Sequence, residues 1–494
     1  MPLYESGLGT LTWKIDTDVP AAQAYYNQGV QLMYAFTPVD AARSFREAQK
    51  LDPSCVMCFW AEAWAWGPYL NEAMVDADAP RARAAIDRAL ALTASDPVER
   101  DLVQTMAIRY EPDHDQDRRR ELDKAYSEAM ERVWRTWPDN VDVGTLYAES
   151  LMLQLPRRGN WDLEDPAVQK IHQVLEDLLD KDIGHPGACH LYVHATESTE
   201  RPGKAEACAD LLGQAIPGAS HINHMPSHTY NRVGRWGDAV RSNIEAWHSD
   251  LKAEHGEGFA IYPSHNLHML LFAASNDGQG AVAIQAGKDY AKVVEGGSFY
   301  HALTLLRFGR FDEVLELEGA PENAAQRGLW AFARGYAHLK EGSADSARVY
   351  LEQVERDRGS DVAFRGHPAA QLLGTVGFIL EGEIELMAGR AEEAIAFFRQ
   401  ATELEDELRY DEPEPLNFSA RHWLGAALLE DGQAAEAETV YRAELEDHPR
   451  NGWSLYGLEQ ALRAQGKTPE ADEVHARFQE SWARSDTWIR SSRF

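Results

Sequence analysis

Basic residues are scarce: Lys and Arg number 48 against 80 Asp and Glu, a formal net charge of -32 over 494 residues. Nucleic acid and anionic membranes are recognised through a basic footprint, so neither is expected as a partner, and cations are attracted instead. Long apolar runs are also missing, because charges interrupt every apolar stretch within a few residues. The opening MPLYESGLGTLTWKID carries no basic, apolar leader. A soluble protein is therefore expected, cytoplasmic by preference and periplasmic if a leader has been removed. Cysteine is limited to Cys55, Cys58, Cys189 and Cys208, too few for a disulfide framework and open between reduced thiols and at most two bridges. There is no HExxH, no GxSxG, no Walker loop and no dinucleotide fingerprint, which removes the common routes to zincin, serine-hydrolase, nucleotide and nicotinamide chemistry. Strand patterns and low-complexity linkers are absent as well. The 44% hydrophobic content still supports a real core.

What the chain does have is repetition. In AYYNQGVQLMYAFTPVDAARSFREAQKLDP, the residues Tyr25, Gly29, Ala41, Phe45, Ala48 and Pro53 occupy the fourth, eighth, twentieth, twenty-fourth, twenty-seventh and thirty-second places of a unit starting at Ala22. The grid recurs from Thr375 with Gly382, Gly389, Ala394, Phe398 and Ala401, and from Phe418 with Gly425, Gly432, Ala437, Tyr441 and Pro449. This pattern resembles the tetratricopeptide repeat, in which small residues let two antiparallel helices approach and proline closes the unit. The resemblance implies an all-α, right-handed solenoid of helical hairpins covering most of the chain, more readily one continuous superhelix than separate domains. Its parts are expected as an N-terminal extension over 1–20, repeats over 21–183, a histidine-rich centre over 184–297 and repeats over 298–494.

The histidines are concentrated in that centre, where ten of the 18 lie between His185 and His268. In HINHMPSHTYNRVGRW (221–236), a helix would place His221, His224 and His228 on one stripe. On the repeat grid these are places two, five and nine, which line the concave groove in proteins of this type. The flanking units repeat the choice, with His190, His194 and Glu197 before and His265 and His268 after. Elsewhere the same places hold Gln23, Tyr26 and Val30, or Val376, Ile379 and Glu383, with His422 as an isolated exception. Neutral imidazole is a borderline ligand, and a helix presenting rings one turn apart supplies two ligands at little ordering cost. The expectation is a metal site built from His190, His194, His221, His224, His228, His265 and His268.

A donor set of imidazoles with few carboxylates argues for copper, zinc or iron over magnesium or calcium, and seven rings suit two ions. The favoured reading is a copper or iron oxidoreductase acting on a small organic substrate. A zinc hydrolase is the first alternative, with bound water as nucleophile and Glu197 or Glu149 as proton acceptor. A peptide-binding adaptor working through the groove is the second. Cys55 and Cys58 form an isolated CxxC, open between packing or a disulfide and soft-metal or redox roles. The aromatics of FWAEAWAWGPY (59–69) either pack between helices or wall an apolar pocket. The strings HPGACHLYVHATE, HMPSHTYNRVGRW and DPSCVMCFWAEAWAWGP resemble an uncharacterised bacterial subgroup of tetratricopeptide proteins, a likeness that implies one common site and no particular reaction. Where that group reads GPN, this chain has Gly67, Pro68 and Tyr69.

Overall fold

In the computed structural model, which describes residues 1–494 apart from 5, 112–114 and 158, α-helices follow one another in pairs from Pro20 to Ser481. The one small sheet among the described residues pairs Ala363–Phe364 with His367–Pro368. The all-α hairpin expectation is met, and the repeat grid shows why. Helix Pro20–Tyr34 closes on helix Pro38–Leu51 because Gly29 leaves room for the ring of Phe45, which a Cβ at 29 would strike. Gly382 makes the same room for Phe398, and Gly425 for Tyr441.

The fifteenth place of the grid falls at the turn between helices. Gly234, Gly389 and Gly432 adopt φ of 75°, 76° and 82° there, a left-handed conformation that glycine enters without a Cβ clash. In the first hairpin that place is Phe36, which takes φ 60° all the same. A bulky residue held there costs about 1–3 kcal/mol, so its ring has to be fixed by something else.

Packing divides the chain into two compact units, residues 1–229 with 245–262, and residues 230–244 with 263–494. In the first, the tryptophans of helix Val56–Ala65 pack between helices: Trp60 meets Trp13 at 5.6 Å and Trp64 at 5.7 Å, and its indole N–H donates to the Leu102 carbonyl at 3.1 Å. These rings therefore serve the core and not a substrate wall. Both cysteine pairs are bridged. Cys55–Cys58 closes the first turn of that helix, and Cys189–Cys208 ties helix Pro186–Glu197 to helix Glu206–Leu212. The second unit repeats the glycine-to-aromatic packing through helices Ala369–Met387 and Arg421–Glu430, while in helix Ala324–Lys340 Gly328 and Gly335 face Leu373 and Leu380. No described helix is long and apolar enough to cross a membrane.

Candidate metal centre

Helix Pro186–Glu197 begins on His185, whose Nδ1 accepts the Ala188 N–H at 3.1 Å while its Nε2 faces Asp142 at 3.1 Å. That ring is committed to capping. His190 and His194, one turn apart, and Glu197, three residues further, follow on the same helix and are buried.

The 220–233 stretch is not the unbroken helix its spacing suggests. It divides at Met225 into Ser220–His224 and Pro226–Val233, since Pro226 has no N–H to donate and its ring crowds the carbonyl four residues back. The histidines stay adjacent across the break, with ring centroids 5.8 Å apart for His221 and His224 and 4.6 Å for His224 and His228. Five imidazoles thus form one buried group, none more than 4% exposed.

Hydrogen bonding on the outer side of the group fixes which nitrogens face inward. His190 Nδ1 lies 2.7 Å from the Tyr34 carbonyl, an acceptor, so the proton sits on Nδ1 and Nε2 keeps its lone pair. That Nε2 is 3.1 Å from His221 Nε2. Glu197 plays the corresponding part for two further rings: one carboxylate oxygen is 2.8 Å from His194 Nδ1 and the other contacts His228 Nδ1. His194 Nδ1 also has Arg157 Nη2 at 3.1 Å, but the shorter carboxylate contact requires an N–H and decides the tautomer. His228 Nε2 then points at His224 Nε2, 2.7 Å away. His190, His194 and His221 each offer a nitrogen, all within 4.8 Å of one another.

Burial keeps His190 and His221 neutral, which is the ligating form. It holds His190 down to about 3, against the opposing hydrogen bond that the ring donates to the Tyr34 carbonyl, and it pushes His221 well below the usual histidine range with help from the adjacent imidazoles.

Residues that the spacing argument missed complete the surroundings. Phe36 lies 4.2 Å from the His190 ring and stacks on His221 at 5.2 Å, which accounts for its strained turn. Tyr262, the other described non-glycine residue of the first unit with a positive φ (58°), meets His221 edge-on at 5.4 Å, and its hydroxyl is 3.1 Å from that of Tyr69. Strained residues of this kind gather at functional sites. Arg157, partly exposed, pairs with Glu197 at 3.5 Å and donates to Asn71 at 2.9 Å. A signal for Phe36 did exist in the sequence, because the repeat grid places an aromatic where glycine is required.

Glu149 and His268 are placed differently. Glu149 is buried with Arg109 and Trp64 as its polar partners, and burial raises its carboxyl above the usual range. No hydrogen bond among the described residues joins it to the imidazoles. His265 and His268 lie on helix Pro263–Asn276 of the second unit, where His268 Nε2 is 2.6 Å from the Tyr300 hydroxyl and Tyr300 in turn donates to the Pro415 carbonyl at 2.9 Å.

No family model and no curated protein matches the chain. Among solved structures it is similar to the human IFIT1 dimer with m7Gppp-AAAA, at 12% identity and a TM-score of 0.31, over 94% of this chain and 91% of that one. It is also similar to the APC/C hetero-tetramer Cut9-Hcn1, at 12% identity and a TM-score of 0.30, over 94% and 74%, and to the P58(IPK) TPR domain, at 12% identity and a TM-score of 0.23, over 90% and 99%. Likenesses this distant carry nothing about ligand or reaction.

Proposed function

We propose that the first unit binds a transition metal through His190, His194, His221, His224 and His228, with Glu197 positioning two of the rings. The observation that carries this is the pair of facing Nε2 atoms of His190 and His221, 3.1 Å apart, with the His190 lone pair set inward by Tyr34. Two nitrogens bound to one tetrahedral ion at about 2.0–2.1 Å stand about 3.3 Å apart, so the spacing fits. An imidazole held through Nδ1 by a carbonyl or carboxylate is also the usual outer arrangement of a metal-bound histidine. The second inward pair, His224 and His228, gives room for two ions.

The donors are imidazole nitrogens without thiolate, which suits copper, zinc or iron. A redox metal would exchange electrons with a small organic substrate, our preferred reaction class, whereas zinc would supply an activated water. Around it, Phe36, Tyr69 and Tyr262 provide an aromatic wall with two hydroxyls, and Arg157 a cationic contact for an anionic group. Glu197 is engaged by two imidazoles, which supports a positioning role over that of proton acceptor. The test is metal loading followed by native mass spectrometry. Parent protein offered copper, zinc or iron should retain at least one ion, and the His190→Ala/His221→Ala variant should lose one. Absence of metal from the parent, or unchanged stoichiometry in the variant, overturns the proposal.

A second reading, a peptide-binding adaptor, draws on the hairpin architecture and on one feature of the second unit, where a non-helical stretch of the chain itself lies against helices of successive hairpins.

A further inference from the structure

Residues 490–494, Arg-Ser-Ser-Arg-Phe, form no helix, yet they are held along their length by side chains of the second unit. The Arg490 carbonyl accepts from the Tyr456 hydroxyl at 3.3 Å. Ser492 is buried, 2.7 Å from the Tyr441 hydroxyl, and donates to the His422 carbonyl at 2.7 Å. Arg493 reaches both oxygens of Glu430 at 2.8 Å and lies 3.4 Å from Glu383, itself buried. Phe494 inserts its ring between Trp423 at 4.7 Å and Tyr336 at 5.2 Å, and its carbonyl accepts from the Tyr336 hydroxyl.

These contacts come from helices Ala324–Lys340, Ala369–Met387, Arg421–Glu430, Ala434–Asp447 and Gly452–Ala464, so a single non-helical segment, bent over 490–492, reads several hairpins in turn. Backbone carbonyls are met by tyrosine hydroxyls, one cation by two carboxylates and one ring by an aromatic socket. That division between main-chain affinity and side-chain pockets is how grooves recognise extended peptides.

One buried group remains in surplus beside the segment. The Arg307 guanidinium lies 3.8 Å over the Trp453 ring and 5.5 Å from that of Phe494, and none of its three nitrogens has a hydrogen-bond acceptor among the described residues. A buried guanidinium without acceptors is costly. No carbonyl of 490–494 is hydrogen-bonded to it.

We infer that this face of the second unit is a binding groove for a non-helical peptide carrying an Arg-aromatic pair, and that residues 490–494 occupy it in cis. The inference rests on the adaptor reading and is independent of the metal. The charge balance agrees, since a protein of net charge -32 presenting Glu383 and Glu430 favours a basic peptide. A segment tethered to its own groove has an effective concentration of about millimolar or more, so a free peptide of the same sequence competes poorly until the tether's anchors are weakened.

The experiment uses a fluorescent heptapeptide, WIRSSRF, copied from 488–494, with the full-length parent and a full-length Arg493→Ala/Phe494→Ala variant whose melting is checked first. The variant should bind the peptide at least tenfold more tightly than the parent, and adding Glu430→Gln and Glu383→Gln should remove that gain. If the variant melts early, hydrogen exchange on the parent replaces it: excess WIRSSRF should deprotect residues 490–494, and unchanged protection overturns the inference. An array of unrelated heptapeptides separates the two levels of failure. Peptides bound without an Arg-aromatic pair as tightly as WIRSSRF would overturn the specificity and leave the adaptor reading standing. Binding of none would overturn both.

Discussion

Replacing Glu197 by glutamine keeps the size of the side chain and changes one oxygen into an NH2. In the parent one carboxylate oxygen takes the Nδ1 proton of His194 at 2.8 Å and the other lies against His228 Nδ1. Glutamine can accept from only one of them, and its NH2 confronts the other ring donor to donor. That ring has to move its proton to Nε2, the atom assigned to the metal, or rotate out of place. Loss of such an orienting partner lowers metal affinity by about 10–100-fold, or about 1.4–2.7 kcal/mol. Competition against a chelator of known affinity measures this, and the melting of metal-free protein shows whether the fold has survived. If Glu197 were instead the proton acceptor of a hydrolase, Glu197→Gln would hold its metal at parental affinity and lose turnover. Affinity within about twofold of the parent in a variant that melts normally would refute the positioning argument.

Three other outcomes follow from the packing. Gly382→Ala should cost about 1–2 kcal/mol in urea unfolding, because crowding the Phe398 ring exceeds the gain of about 1 kcal/mol that alanine brings inside a helix; net stabilisation would show that the hairpin contact is loose. Reducing Cys189–Cys208, whose partners are 19 residues apart, should cost about 3 kcal/mol by releasing loop entropy and should weaken metal retention, since Cys189 adjoins His190; an unchanged melting temperature would contradict this. The metal-free protein should lose stability as pH falls. Buried His190 holds off its proton until about 3 and His221 lies well below its ordinary range, while the unfolded chain takes up protons near 6.5. The unfolded state therefore binds more protons below about pH 6.5, stability is complete above that pH, and each ring removes up to about 1.4 kcal/mol per pH unit down to its folded value. A flat profile between pH 6.5 and 4.5 would refute the burial of these rings as neutral groups.

The hairpins were readable because they rest on local rules: Gly29 has to face Phe45, and Gly389 and Gly432 have to turn, wherever the chain goes next. The histidine group was readable in part for the same reason, as His190 and His194 share one helix and His221, His224 and His228 one stretch. The break at Pro226 is marked in HMPSH by the missing proline N–H, while the imidazole spacing alone suggests one unbroken helix. Tyr34 and Tyr262 could not be found, since each reaches His190 or His221 from a distant part of the chain and nothing in its neighbours marks it, while Tyr69, visible in the aromatic run 59–69, joins the group only through Phe36 and the Tyr262 hydroxyl. The pairing of Arg493 with Glu430 and Glu383 is equally long-range and lies outside any repeat period.

X-ray absorption at the edge of the bound metal examines the centre itself. With metal-loaded parent protein we expect a first shell of nitrogen at about 2.0 Å with the outer-shell pattern of imidazole, a shell that changes in the His190→Ala/His221→Ala variant. Sulfur in the first shell, or a spectrum identical in parent and variant, would mean that the metal binds elsewhere and that the five buried histidines are not its site.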